Sequence, residues 1–300
     1  SHWLHRNHRS QSRRNISAHY DIGNDLFRLF LDPTMMYSSA VFPHEDASLE
    51  EASLHKLDLI CRKLNLEPGD HLLEIGTGWG GLALHAARKF GCRVTTTTIS
   101  REQYNLARRR VAEAGLGDRV TVLDRDYRDL TGQYDKLVSV EMIEAVGPEF
   151  LDGYFRVCSE RLKPNGRLLL QAIVMSEERY MPYSRSVDFI KKYIFPGGAL
   201  PAMSLIQDST HRMTDMRIVH LHDIGLHYAR TLRAWYDRFS ARRDEVRKLG
   251  YTEEFIRMWQ YYFCYCEGGF LEKTISNVQV VLDKPQCRLP LPDGSSAHRH

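Results

Sequence analysis

One stretch, HLLEIGTGWGG from His71 to Gly81, limits the folds open to this chain more than any other. A short apolar run closes on Glu74, a turn of Gly76, Gly78, Gly80 and Gly81 follows, and Leu82, Ala83, Ala86 and Ala87 then recur at helical spacing. Strand, glycine turn and helix in that order present a nucleotide-like ligand at the carboxyl end of the first strand of an open α/β sheet.

The same rhythm repeats along the chain. Strands are expected at Cys92–Thr98, Val120–Leu123, Lys136–Val140, Arg167–Ile173, Arg217–Leu221 and Ser276–Leu282, and helices open at Ser100 and run over Gly153–Leu162, His227–Leu249 and Thr252–Lys273. With the strand before the glycine turn these make a doubly wound, seven-stranded, mainly parallel α/β sheet. Ahead of it, Ser48 with Glu51 reads as a capping box for a helix that continues to Pro68-Gly69, and Leu26, Phe27, Leu29 and Phe30 read as a short amphipathic helix stopped at Asp32-Pro33. Two segments break the pattern. Met35–Phe42 and Ser176–Asp215, the latter with YIFPGGALP, have the composition of lids over a crevice. In the helix after Thr252, the face formed by Phe255, Met258, Trp259, Tyr262, Phe263 and Cys266 reads by spacing as core.

At 43% hydrophobic and 26% charged, the 300 residues have material for an ordinary globular core. No apolar run approaches the roughly 20 residues that span a bilayer, and no signal peptide is visible, so a cytoplasmic location is expected. The six cysteines include no C-x-x-C pair, which argues against a disulfide framework and a zinc site, and no metal is expected. Arg6, Arg9, Arg13 and Arg14 form a basic amino-terminal arm suited to an anionic lipid surface or a nucleic acid backbone.

The glycine turn also satisfies G-x-G-x-x-G, but a dinucleotide site needs an acid closing the second strand, where this chain has Thr96, Thr97, Thr98, Ile99 and Ser100. A phosphate-binding P-loop is excluded because no Gly-Lys-Ser/Thr follows. S-adenosylmethionine, a cation without phosphates, suits a turn preceded by the carboxylate of Glu74, and Asp126-Tyr127 after the third strand is compatible with it.

HYDIGNDLF, MMYSSAVF, LLEIGTGWGG, TTTTISREQ, DYRDL, VSVEMIEAVGPEF, YIFPGGALP and LRAWYDRF together resemble the cyclopropane-fatty-acid synthase family, which includes the mycolic acid methyltransferases. The resemblance runs from Asn15 to about Leu282 and implies a Rossmann-like class I methyltransferase sheet with a helical lid. It divides the chain into a basic flexible arm (1–14), an amino-terminal helical cap (15–66), a cofactor-binding core (67–175), a lid insertion (176–215), a completion of the sheet (216–285) and a flexible tail (286–300). Family members of the phospholipid type often carry a further amino-terminal domain, and the chain looks like the catalytic portion.

The reaction the resemblance implies is methyl transfer from S-adenosylmethionine to the double bond of an unsaturated phospholipid acyl chain, through a carbocation, at a membrane surface. No nucleic acid partner is implied, and a homodimer is left open. The family pattern places the cofactor on Tyr37, Ser38, Gly76, Gly78, Thr98, Ser100 and Gln103, beside Glu74, Asp126 and Tyr127. Tyr37, Phe195, Tyr228, Trp235 and Tyr236 are candidates to face the cation. The family's proton acceptor is a bicarbonate ion, whose carried-over ligands are Ser39, Glu144, Gln171, Ile173 and Tyr228. Ser39 stands for the usual cysteine, Gln171 for a histidine that can titrate, and Ala145 for a histidine after the Glu. Loss of a proton from the new methyl closes a cyclopropane, whereas a hydride shift opens the way to a methylene or methyl branch; Gln171 marks a paralogue whose proton is removed differently, and both a cyclopropane and a branched product stay open. Competing expectations are an amine N-methyltransferase and a lipid- or cofactor-binding protein that has lost its base.

Overall fold

A computed structural model describes residues 23–292 apart from Arg185, Val187 and Pro196. The basic arm lies outside the described residues. Seven strands form one sheet in the order β3-β2-β1-β4-β5-β7-β6, with β1 at His71–Ile75, β2 at Arg93–Thr98, β3 at Val120–Asp124, β4 at Tyr134–Val140, β5 at Leu162–Met175, β6 at Arg217–Asp223 and β7 at Ile275–Asp283. All neighbours run parallel except β7, which enters antiparallel between β5 and β6. Alternate residues serve opposite faces: Leu73, Leu137, Leu168 and Leu170 join one core, and Leu72, Val138, Leu169 and Val281 the other. Burial on both sides is why these strands read as near-continuous apolar runs.

A third core is aromatic and lies beyond the sheet, where α1 (Asn24–Phe30) packs with α8 (Gly225–Ala241) and α10 (Glu253–Leu271) through Phe30, Trp235, Phe239, Trp259 and Phe263. The remaining helices are α2 (Leu49–Lys63), α3 (Gly81–His85, continued by a π-turn to Phe90), α4 (Arg101–Glu113), α5 (Leu151–Arg161), α6 (Glu177–Ser184), α7 (Met203–Met213) and α9 (Arg243–Lys248).

Several boundaries differ from the sequence reading. The backbone amide of Glu51 donates to Ser48 Oγ, but the Glu51 carboxylate turns to His44 instead of completing the capping box, and α2 stops at Lys63. Strand β5 begins at Leu162, which already pairs with Tyr134, so Lys163–Gly166 is a shift within a ladder and not a separate turn. The long helix after His227 breaks at Arg242, whose guanidinium is drawn to the Leu29 carbonyl. Helix α7 is no lid: Ile206 is fully buried in the sheet core and Ser209 and Arg212 bind Asp152 of α5. The tail, expected to be flexible from residue 286, is pinned at its start, because the Gln286 amide donates to Pro164 O and the buried Arg167, bidentate on Asp283, also donates to Pro290 O. Among the described residues no helix is long and apolar enough to cross a membrane.

Candidate active site

The carboxyl ends of β1, β2 and β4 open into one cleft of about 940 Å³ that continues beneath the segment from Glu178 to Leu200. That is the upper range for a small-molecule site. At its β1 end the glycine turn is held by two amides, from Gly76 and Thr77, that share the Thr97 carbonyl. Gly78 has a positive φ of 52°, and a Cβ there would enter the open cleft. A Cβ on Gly81 would meet the Thr34 carbonyl oxygen at 2.5 Å, so the absence of a side chain lets the cap segment before Ser38 lie on the start of α3.

A carboxylate, Glu141, lines the cleft where β4 ends. It follows β4 directly, with a left-handed φ of 48° that a non-glycine residue adopts only where its surroundings hold it. Its backbone N–H donates to Gln171 O at 2.7 Å. Four donors converge on its side chain: Ser39 N (2.9 Å), Gln171 Nε2 (2.8 Å) and Asn277 Nδ2 (2.5 Å) on Oε1, and the Tyr228 hydroxyl (2.8 Å) on Oε2. An acceptor-only carboxylate satisfies all four as donors. The Ser39 hydroxyl turns away to Ala40 O, so this residue acts through its backbone. Burial, then the charge of Glu141, holds the Tyr228 hydroxyl well above its usual range, keeping it a donor.

Glu144 lies one turn on. Its Oε1 accepts from Ile173 N at 2.5 Å while Oε2 is buried without a partner in the chain. Burial, reinforced by the neighbouring charge of Glu141, pushes its carboxyl up to about 8. The Glu144 carbonyl also accepts from Ala199 N, tying the lid to this turn. Glu74 is 3% exposed, and burial pushes it to about 8 against the pull of the Thr96 hydroxyl and of Lys56. Lys56 is fully buried and donates to Ser38 Oγ at 2.8 Å; burial brings its ammonium down to about 8.

Of the residues singled out in the sequence, Tyr37, Ser38, Glu74, Gly76, Gly78, Thr98, Gln103, Asp126, Tyr127, Glu144, Ile173 and Tyr228 line the cleft. Ser39 and Gln171 are fully buried behind it and reach it only through Glu141. Ser100 does not line it, because its hydroxyl accepts from Gln103 N as the N-cap of α4. The Thr98 hydroxyl donates to Gln103 Oε1, which leaves the Gln103 NH₂ as the group it can offer a ligand. The Asp126 carboxylate is engaged by Arg128 through three hydrogen bonds. Trp235 is core, 1% exposed, and Tyr236 lies outside the cleft under Arg233; neither lines the cleft, while Tyr37 and Phe195 do.

Sequence reasoning missed Glu141, Asn277, Lys56 and the double duty of α10. Tyr262 and Cys266 read as core, yet both line the cleft, and the Tyr262 hydroxyl meets that of Tyr37 at 3.0 Å. For Glu141 a signal existed: an acid closing a strand at the carboxyl edge, the same position that singled out Glu74.

The model of the family described as mycolic acid cyclopropane synthetase matches residues 7–280. Tuberculostearic acid methyltransferase UfaA1 of Mycobacterium tuberculosis is 46% identical over 87% of the chain and 63% of its own length. The cyclopropane-fatty-acyl-phospholipid synthase of Escherichia coli K12 is 43% identical over 89% of the chain and 66% of its own length. The chain thus spans just under two thirds of these curated relatives. Among solved structures, mycolic acid cyclopropane synthase CmaA1 in complex with SAH and CTAB superposes with a TM-score of 0.86 at 31% identity, covering 91% of this chain and 98% of its own. Coclaurine N-methyltransferase, at 22% identity and a TM-score of 0.77, shares the fold. By sequence and by architecture, this chain belongs to the mycolic acid cyclopropane synthetase family.

Proposed function

We propose that the protein methylates the carbon-carbon double bond of unsaturated phospholipid acyl chains with S-adenosylmethionine as donor, and that the Glu141 carboxylate accepts the proton released. The observation that carries this reading is the set of four donors closed on Glu141, a carboxylate in the wall of the cleft. Bicarbonate does not fit: Ser39 N, Gln171 and Tyr228, three of its expected ligands, are spent on Glu141, and the amide of Ile173, a fourth, is spent on Glu144. A side chain of the protein stands where the family pattern calls for an ion.

S-adenosylmethionine fits the opposite end, where Gly78 leaves room that a Cβ would take and Glu74, Thr98 and Gln103 line the wall; bound there, it supplies an electrophilic methyl group. A cation held beside Glu74 would favour the ionised form of its carboxyl, the proton passing to solvent as the ligand enters. The alkene's π pair would form the new carbon-carbon bond to that methyl as its bond to sulfur breaks and the bonding pair leaves with S-adenosylhomocysteine, and a cation would remain on the neighbouring carbon of the lipid. Met35, Ile173, Phe195, Leu232 and Phe270 line the cleft and keep water from that cation. Glu141 then takes a proton from the alkylated chain, and the bonding pair left behind quenches the charge. A methylene branch, reached when a hydride shifts to the cationic carbon before the methyl loses its proton, or a methyl-branched alkene is favoured over a ring: the acceptor departs from the bicarbonate pattern, and a relative named for tuberculostearic acid methylation shares 46% identity. Incubation with labelled S-adenosylmethionine and vesicles of monounsaturated phospholipid, followed by mass spectrometry and proton NMR of the released fatty acids, tests this. Olefinic methylene or methyl-branch signals are expected; cyclopropane signals overturn the branch assignment, and unlabelled lipid overturns the reaction.

The mouth of the cleft supports lipid delivery from a membrane. Tyr193, Tyr261 and Tyr265 are 53%, 53% and 43% exposed, gathered around Phe189, and Met181 and Leu271 lie exposed on the adjoining α6 and α10. Contiguous exposed apolar groups of this kind mark interaction surfaces. Replacing Tyr193 and Tyr261 together by serine is expected to weaken sedimentation with anionic phospholipid vesicles by about tenfold or more, since full burial of an aromatic is worth about 1.5 kcal/mol or more and these two are already half-buried. Turnover of a micellar short-chain phospholipid should be unchanged; undiminished vesicle binding would place the membrane contact elsewhere.

A further inference from the structure

Behind Glu141 a row of polar side chains crosses the sheet where apolar ones would ordinarily sit. Gln171 on β5 pairs directly with Gln279 on β7, which pairs with His222 on β6, so the three side chains share one face with Leu169 and Val281. Gln171 and Gln279 are fully buried. Lys63, 2% exposed at the end of α2, lies over the row and donates to Gln279 Oε1 at 2.8 Å; its Nζ is 2.9 Å from His222 Nδ1. Gln279 Nε2 donates to Gln171 Oε1 at 3.0 Å, and Gln171 Nε2 to Glu141 Oε1 at 2.8 Å.

The chemistry of the two ends sets the direction of the whole chain. An ammonium only donates and a carboxylate only accepts. With Lys63 at one end, Gln279 must turn its oxygen to Lys63 and its NH₂ to Gln171. Gln171 must then offer its oxygen to Gln279 and its NH₂ to Glu141. Reversing either amide would set two oxygens or two NH₂ groups face to face in a buried site. No carboxylate accounts for the state of Lys63: burial alone lowers its ammonium, to about 8, and burial followed by the charge of Lys63 holds His222 down to about 4, an acceptor at Nδ1.

We propose that Lys63 is a positioning residue for methyl transfer, which, through Gln279 and Gln171, holds the donor side of the Gln171 amide on the Glu141 carboxylate. The proposal rests on Glu141 being the proton acceptor. Aligned hydrogen bonds polarise one another, so the positive end of the row also strengthens the last donor and keeps the carboxylate on the cleft axis.

Gln279→Glu is the decisive variant, because it is isosteric and reverses the sense of the row. The carboxylate it introduces accepts from Lys63 and also from Gln171, whose NH₂ then turns away and whose oxygen faces Glu141. The new ion pair with Lys63 should preserve the fold. We expect kcat on unsaturated phospholipid to fall by about 10- to 100-fold, the range found for outer partners of metal ligands. KM for lipid and for S-adenosylmethionine should stay within about twofold, while the ratio of final products shifts, because the cation then waits longer for its proton acceptor. In [¹⁵N]glutamine-labelled protein, the side-chain resonances of Gln171 should also lose the shift imposed by the carboxylate of Glu141. A folded Gln279→Glu protein with unchanged kcat and product ratio overturns the proposal, as does one in which KM alone rises. Should that variant not fold, Lys63→Met takes its place, and retention of kcat and product ratio there overturns it equally. Wild-type protein that methylates no lipid would instead refute the reading of the site, and the Gln171 resonances would still report the direction of the row.

Discussion

Glu141→Gln is expected to fold and to turn over unsaturated phospholipid about 10²- to 10⁴-fold more slowly than the wild type, the range for loss of a positioned proton acceptor. Glutamine is the mildest replacement because its oxygen can keep the three donors from Ser39, Gln171 and Asn277, while its NH₂ faces the Tyr228 hydroxyl, which can accept as well as donate. Geometry is thus retained and basicity is lost. The alkylated cation should persist until another base reaches it, and the residual product should contain more of the minor isomers or of a water adduct, read by mass spectrometry. Glu141→Gly removes the side chain and frees its donors, and formate should then restore part of the turnover. Wild-type rates in Glu141→Gln, with an unchanged product, would exclude this carboxylate as the acceptor.

What could be read in the sequence follows from what is periodic. Buried parallel strands are short β-branched and apolar runs, so β1, β2 and β4 and the glycine turn after β1 were legible, and the family motifs extended that to most of the cleft wall. The antiparallel entry of β7 was not, because an apolar run carries no direction. Ser39 and Gln171 were found as positions, but not that they act on a residue of the chain, since Glu141 contacts partners 102, 30, 87 and 136 residues away. Asn277 and Gln279 interrupt ISNVQVV in the alternating register, and polar residues at alternate positions read as a solvated face; here that face is buried and the amides satisfy one another. The aromatic face of α10 shows the reverse limit. Helical spacing identifies Tyr262 as inward-facing, and only the packing of α1 and the lid decides that inward means the cleft.

Glu144→Gln should make the protein more stable at pH 8 and leave it little changed at pH 5. In the folded chain the Glu144 carboxyl is pushed from 4.5 to about 8, by burial first and by the charge of Glu141 second. The residue as a whole is half-buried, but Oε2 is enclosed and unpartnered in the chain. Between those two values the folded protein holds a proton that the unfolded chain has released. The stability Glu144 allows is therefore full below about 4.5 and is lost as pH rises toward 8, by at most about 1.4 kcal/mol per pH unit. Glu74, also raised to about 8, slopes the same way. Glutamine keeps an acceptor for the Ile173 amide and carries no proton to lose. The variant should gain on the order of 2–4 kcal/mol over the wild type at pH 8, measured as the difference in urea midpoints at the two pH values. Equal midpoint differences at pH 5 and pH 8 would mean that Glu144 ionises as freely in the folded chain as in the unfolded one.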